Sequence, residues 1–179
     1  MNSMFELCSE LEYLDLSNFN TSNTINMDNM FDNCHELKEI KGINNFNASN
    51  VTSMKAMFKD CDELKSLYLS NFNTMKVKNM NKMFENCFEL ELIDLSNFNT
   101  SNVLDMSFMF NKCYKLREIK GISNFKINKV TNVINMFSEC DFEFKNNNEL
   151  LSILNQSFLN TQTMNQIKKL ITVYFTSSS

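Results

Sequence analysis

Apolar residues in the first 140 positions recur in short blocks whose period changes from one half to the other. Met27, Met30, Phe31, Cys34 and Leu37 stand at offsets 0, 3, 4, 7 and 10, the spacing that lines one face of a helix. Elsewhere Leu14-Asp15-Leu16, Leu67-Tyr68-Leu69 and Ile93-Asp94-Leu95 alternate apolar with polar, as a half-buried strand does. The pattern predicts a short helix, a tight passage, a short strand and an asparagine-rich return in each block.

The blocks are copies of one another. The phrase Met-Phe-x-x-Cys closes at Cys8, Cys34, Cys61, Cys87, Cys113 and Cys140, which sets a unit of 26 or 27 residues. Leu11, Leu37, Leu64, Leu90 and Leu116 follow the first five cysteines at a fixed distance, then Leu14, Ile40, Leu67, Ile93 and Ile119. A fixed period of this length means one supersecondary unit per repeat, each hiding the apolar face of the next. Only the two longer repeats contain glycine, Gly42 and Gly121, read here as bulges that admit one extra residue. The chain has no proline, so turning elsewhere falls to asparagine, which tolerates positive φ. Asn18, Asn45, Asn71, Asn97 and Asn124 share one register after the strand. Stacked there, their amides would bond to the backbone of adjacent loops. The alternative is that asparagine abundance reflects composition alone.

Leu14 to Asn23 and Ile93-Asp94-Leu95-Ser96-Asn97-Phe98-Asn99-Thr100-Ser101-Asn102-Val103, followed by Met-Phe-x-x-Cys, resemble the repeats of BspA-type leucine-rich-repeat surface proteins. The resemblance covers about residues 1–140. It implies a solenoid with a stacked strand face; with the periodicity and the apolar pattern of the tail, the expected fold is an α/β leucine-rich-repeat solenoid of about five coils of 26–27 residues, each a short strand plus a short helix, with a C-terminal helical cap. It also implies a cell-surface or secreted setting, adhesion, and a protein or other surface macromolecule as partner. It carries over no catalytic or binding residue.

Three segments are expected: the solenoid over 1–140, a cap over 141–175 and a disordered tail over 176–179. After Cys140 the register is lost, with Glu143 where leucine was due. Leu150, Leu151, Ile153, Leu154 and Phe158, then Ile167, Leu170, Ile171, Val173 and Tyr174, read as two amphipathic helices that cap the last coil or bind a partner. Met1 falls inside a unit. Either the array is part of a longer one, or its first coil associates with another chain. The opening residues lack a basic region and Cys8-Ser9-Glu10 interrupts any apolar run, so no signal peptide is expected. Export would then rest on a segment outside this sequence, and a cytoplasmic location stays open.

Charge and side-chain chemistry narrow the function further. A net charge of -4 with no long basic run argues against nucleic acid, whose phosphates call for clustered cations. No apolar stretch approaches the roughly 20 residues that span a bilayer. The cysteines form no Cys-x-x-Cys pair and the one histidine is His35, so neither metal nor cofactor is expected. The thiols and the methionines beside them read as core. Asp15 and Asp94, three strands apart, would lie roughly 14 Å from each other, beyond the roughly 5–9.5 Å of a glycosidase pair. No catalytic residue is assigned and the chain is read as a non-enzyme.

The remaining candidate is the outward strip of the strands. Tyr13, Glu39, Ser66, Leu92 and Glu118 lie two residues before Asp15, Lys41, Tyr68, Asp94 and Lys120. These positions vary while the inward ones do not, as a recognition surface requires, with Tyr13, Tyr68 and Leu92 as apolar anchors. Asp15 with Lys41 and Asp94 with Lys120 would form cross-strand ion pairs. The reading is a non-catalytic protein-binding or adhesion module using this face. Its alternatives are an ordinary solvated sheet, or a structural spacer that stacks through its first coil.

Overall fold

In the computed structural model, which describes residues 1–127 and 129–140, the repeats stack in parallel. The strands are β1 (Tyr13–Asp15), β2 (Glu39–Lys41), β3 (Ser66–Tyr68), β4 (Leu92–Asp94) and β5 (Glu118–Lys120). Each strand residue that alternation turned inward, Ile40, Leu67, Ile93 and Ile119, is buried, and Leu14 is half-buried. A second parallel ladder joins Asn26, Ser53, Asn79, Asp105 and Asn132 on successive repeats.

The helix predicted in each repeat does not form, which overturns the α/β leucine-rich-repeat reading. The described residues contain no α-helix; the helical elements are two three-residue 3-10 turns, Ile43–Asn45 and Ile122–Asn124. Backbone amides show why. Asn29, Phe31 and Asn33 donate to the carbonyls of Lys55, Met57 and Lys59 in the next repeat at 2.8–2.9 Å. Between them Asp32 and Cys34 donate to the residue three back, Asn29 and Phe31. Every second N–H thus leaves the repeat, and the rest close overlapping turns, so the four-residue bond of an α-helix has no donors. The same staircase crosses each junction, from Ser3, Phe5 and Leu7 onward to Phe108, Phe110 and Lys112. It needs two left-handed residues per repeat, such as Asn29 and Asn33 or Phe108 and Lys112, each at φ between 52° and 64°. Positive φ therefore falls on these segments and not on the post-strand asparagines. The predicted cap at 141–175 and tail at 176–179 lie outside the described residues.

The inside is a set of columns. Phe5, Phe31, Phe58, Phe84, Phe110 and Phe137 stack with ring centroids 5.3–5.6 Å apart, a geometry worth about 0.5–1.5 kcal/mol per pair beyond burial. Each of these phenylalanine carbonyls up to Phe110 accepts a thiol from the next repeat, Cys34 Sγ to Phe5 O at 3.1 Å through Cys140 Sγ to Phe110 O at 2.8 Å. All six cysteines are free, five are buried, and Cys8 is exposed. Buried threonines form a further column that the sequence reading missed. The Thr74 hydroxyl donates to Asn99 O at 3.0 Å and accepts from Asn99 N at 2.8 Å, and Thr21 and Thr100 repeat the exchange with Asn47 and Lys126.

The asparagine ladder forms at four of its five expected positions, Asn18 making no such bond among the described residues. Asn45, Asn71 and Asn124 donate Nδ2 to Ser17 O, Asn44 O and Ser96 O at 3.4, 3.2 and 3.0 Å, and Asn97 to Ser70 O. Gly42 and Gly121 are not bulges within a strand. Each follows its strand at φ 82° or 81° and leads into a 3-10 turn. A Cβ on Gly42 would stand 2.4 Å from Ser17 N and 2.5 Å from Ser17 Cα, so both the dihedral and the close approach require glycine.

Gly42→Ala should lower unfolding stability by about 1–3 kcal/mol or more in urea melts; unchanged stability would show that Ser17 yields freely. Burial pushes the Cys34 and Cys140 thiols up to about 12 and the Cys61, Cys87 and Cys113 thiols up as well. The unfolded chain therefore binds fewer protons above pH 9, the ordinary thiol value, and stability should decline from there as the pH rises toward the folded values. In the native protein a disulfide-exchange reagent should label Cys8 rapidly and the other five only on unfolding; rapid labelling of all six would contradict the columns.

Candidate functional site

The strands bring the predicted strip onto one side. Tyr13 and Asp15 flank the inward Leu14 on β1, and Glu39 and Lys41 flank Ile40 on β2. Ser66 and Tyr68 flank Leu67 on β3, Leu92 and Asp94 flank Ile93 on β4, and Glu118 and Lys120 flank Ile119 on β5. Register places Tyr13 opposite Glu39 and Asp15 opposite Lys41; Leu92 lies between Ser66 and Glu118, and Asp94 between Tyr68 and Lys120. Tyr13 is 63% and Tyr68 47% exposed, whereas Leu92 is half-buried.

The strip is not one sheet. β1 pairs with β2, and β3, β4 and β5 form a second sheet. Leu16, Leu69 and Leu95 each donate their amide to the following repeat, at Lys41, Asp94 and Lys120. Gly42 occupies the equivalent position in the second repeat, at a left-handed φ of 82°, and makes no such bond to the third repeat. Leu92 and Tyr68 therefore share a sheet from which Tyr13 is separate.

One of the two expected ion pairs closes. Lys41 Nζ lies 2.8 Å from Asp15 Oδ2, and Asp15 also accepts the Ser17 amide at 2.9 Å. The Lys41 hydrogen bond, aided by Ser17, holds the Asp15 carboxyl well below the usual carboxylate range, and the same bond raises Lys41. Asp94 and Lys120 form no such pair; Asp94 accepts instead from the Ser96 amide and hydroxyl at 3.0 and 2.5 Å. Two unforeseen pairs also join repeats beside the strands, Lys38 with Glu12 and Lys115 with Glu89, both at 2.6 Å. Their signal was opposite charge one repeat apart.

His35 is not isolated: its Nδ1 lies 2.8 Å from Asp62 Oδ2 on the next repeat. On the staircase side Lys59 bridges Asp32, 3.4 Å away, and Asp60. Burial raises the Asp32 carboxyl against the lowering effect of Lys59. Among the described residues no group of three or more His, Cys, Asp or Glu side chains is placed to hold a metal ion, and no helix is long and apolar enough to cross a membrane.

These features define a tandem-repeat protein whose invariant interior carries a variable exposed strand side. The family described as "Mycoplasma protein of unknown function, DUF285" matches residues 1–93 and again 67–171, and the chain belongs to that family. No curated protein and no solved structure matches it.

Asp15 supplies a test of the strand geometry. Its folded pKa is depressed below the ordinary 3.8, so its contribution to stability is present above that value and is lost as the pH falls through the folded one. Lys41→Gln should raise the Asp15 titration midpoint, followed by carboxyl-carbon NMR. An unmoved midpoint would mean that the Asp15–Lys41 contact is not formed in solution.

Proposed function

We propose that this chain is a non-catalytic binding module of a surface-associated protein of the BspA type, engaging a protein or other macromolecule through its strand side. The observation that carries the reading is the contrast along the strands. Inward positions are Leu or Ile in each repeat, whereas the outward positions change from Tyr and Asp to Glu and Lys, Ser and Tyr, then Leu and Asp. A frame that fixes register while freeing the outward residues suits recognition, and exposed tyrosines beside charges are the side chains that anchor protein contacts. Occurrence of the DUF285 family in BspA-like surface proteins supports a surface setting.

A second reading is a spacer or assembly unit that stacks through its first repeat. Met1, Phe5, Leu11, Leu14 and Phe19 are only partly buried where their counterparts are buried, and Met4 and Leu7 are 48% and 70% exposed. Another coil laid against this edge would cover them.

The two readings separate by where substitutions act. Tyr68→Ala with Leu92→Ala should lower partner affinity at least tenfold, about 1.4 kcal/mol, in quantitative pull-downs from a host-surface extract with partners identified by mass spectrometry. Undiminished capture by this variant, with loss on Leu7→Asp, would replace the strand-side reading with the assembly one.

A further inference from the structure

The side of each repeat between the strand and the second ladder has an electrostatic character of its own. None of the chain's 21 Asp and Glu residues falls within 16–26, 42–52, 69–79, 95–104 or 121–131. Four lysines do: Lys76, Lys78, Lys126 and Lys129, all exposed. None of them pairs with a carboxylate among the described residues. Lys76 and Lys129 are steadied instead by neutral amides, each Nζ lying 2.8 Å from the Oδ1 of Asn50 or Asn102 on the preceding repeat. The positive charge on this side is therefore held in place without being cancelled, in a chain that is acidic as a whole.

Asn50 and Asn102, which hold Lys76 and Lys129, also donate Nδ2 to Ser22 O and Met75 O, but two further columns of asparagines on this side are tied at one end only. Asn45, Asn71, Asn97 and Asn124 spend Nδ2 on the preceding repeat's backbone, which leaves Oδ1 without a protein partner among the described residues. Asn20, Asn47, Asn73 and Asn99 do the reverse. Their Oδ1 atoms accept the amides of Ser22, Ser49, Met75 and Ser101 at 3.0–3.1 Å, so Nδ2 is unspent. The stack thus presents oriented acceptors in one column and oriented donors in another, repeating at the coil spacing of about 4.8 Å. A hydroxyl, which both donates and accepts, matches that pair of columns. Because the anchored end fixes each amide beforehand, less side-chain entropy is lost on binding.

We propose that this return side binds a linear acidic polysaccharide laid along the stack, with hydroxyls on the asparagine columns and anionic groups on Lys76, Lys78, Lys126 and Lys129. Lys76 and Lys129 stand two repeats apart, about 10 Å at the coil spacing. A nucleic acid strand carries a charge about every 3.4 Å and would leave most of its phosphates unmatched. This side also lacks exposed aromatic rings on which bases stack, since Tyr13 and Tyr68 lie on the strands. The surface is distinct from the strand side and does not depend on its function.

The test is affinity chromatography of the full chain on immobilised chondroitin sulfate at low ionic strength, with poly-dT, polyglutamate and neutral dextran as comparison columns. The expected result is retention on chondroitin sulfate that weakens with added salt. Replacing Lys76, Lys78, Lys126 and Lys129 together by Gln should weaken it at least tenfold. The matched variant carrying Lys55→Gln, Lys65→Gln, Lys112→Gln and Arg117→Gln loses the same charge elsewhere and should stay within about twofold, with circular dichroism confirming that both fold. No retention of the wild-type chain, or equal loss in both variants, would overturn the proposal. Equal or stronger binding to polyglutamate or poly-dT would replace the polysaccharide with an acidic polypeptide or a nucleic acid.

Discussion

Everything in this protein depends on where alternate backbone amides go in the Met-Phe-x-x-Cys segment. A buried N–H must find an acceptor, and here every second one finds it on the neighbouring repeat. The bond from Phe31 N to Met57 O spans the junction at 2.9 Å, and the Cys34 amide closes the turn back to Phe31 O. The arrangement places two residues per repeat in the left-handed region, which costs roughly 1–2 kcal/mol each for residues other than glycine. The bonds and ring stacking between repeats offset that cost, so a lone repeat has little reason to adopt this shape. The phrase itself then becomes intelligible. Phe31 O takes both its own Cys34 amide at 3.3 Å and the Cys61 thiol of the next repeat at 3.2 Å. Cysteine is small and apolar enough for the core, yet it carries a donor.

Because this staircase and the phenylalanine column hold the repeats together from within, the outer positions are released from structural duty. Asp15 pairs with Lys41, while Asp94 turns to Ser96 and Lys120 has no ion pair among the described residues, with no effect on strand register. Charge is free to segregate, and it has done so. Carboxylates gather on the strand and staircase sides, and lysines stand without them on the return. The ladder asparagines bridge the two roles, since Asn45, Asn71, Asn97 and Asn124 spend Nδ2 on the stack and keep Oδ1 without a protein partner among the described residues.

The repeat length, the inward faces, the strands and the asparagine ladder were legible because they rest on periodicity and residue type. The helix was misread because offsets of 0, 3, 4, 7 and 10 suit overlapping three-residue turns as well as an α-helix. The two differ in the destination of the Asn29, Phe31 and Asn33 amides, which lies 26 residues away and leaves no local mark. Left-handed residues such as Leu7, Lys82 and Phe108 are also not types that announce positive φ. Glycine revealed that Gly42 was special, but not that the cause was the backbone of Ser17 pressed against it. The threonine exchange with the next repeat needs geometry that composition does not carry.

The strand side divides between the second and third repeats, where Gly42 turns left-handed after β2 and β2 does not pair with β3. The staircase nevertheless runs unbroken across that junction, from Asn29, Phe31 and Asn33 to Lys55, Met57 and Lys59. Tyr13 is therefore fixed relative to Tyr68 through the interior and not through the sheet. Tyr68 and Leu92, by contrast, are set by direct pairing of β3 with β4. Strand pairing fixes register residue by residue, so Tyr68 and Leu92 form a more closely defined pair than either makes with Tyr13. A partner reading the strand side would find its sharpest geometry across β3, β4 and β5, with β1 and β2 as a neighbouring patch.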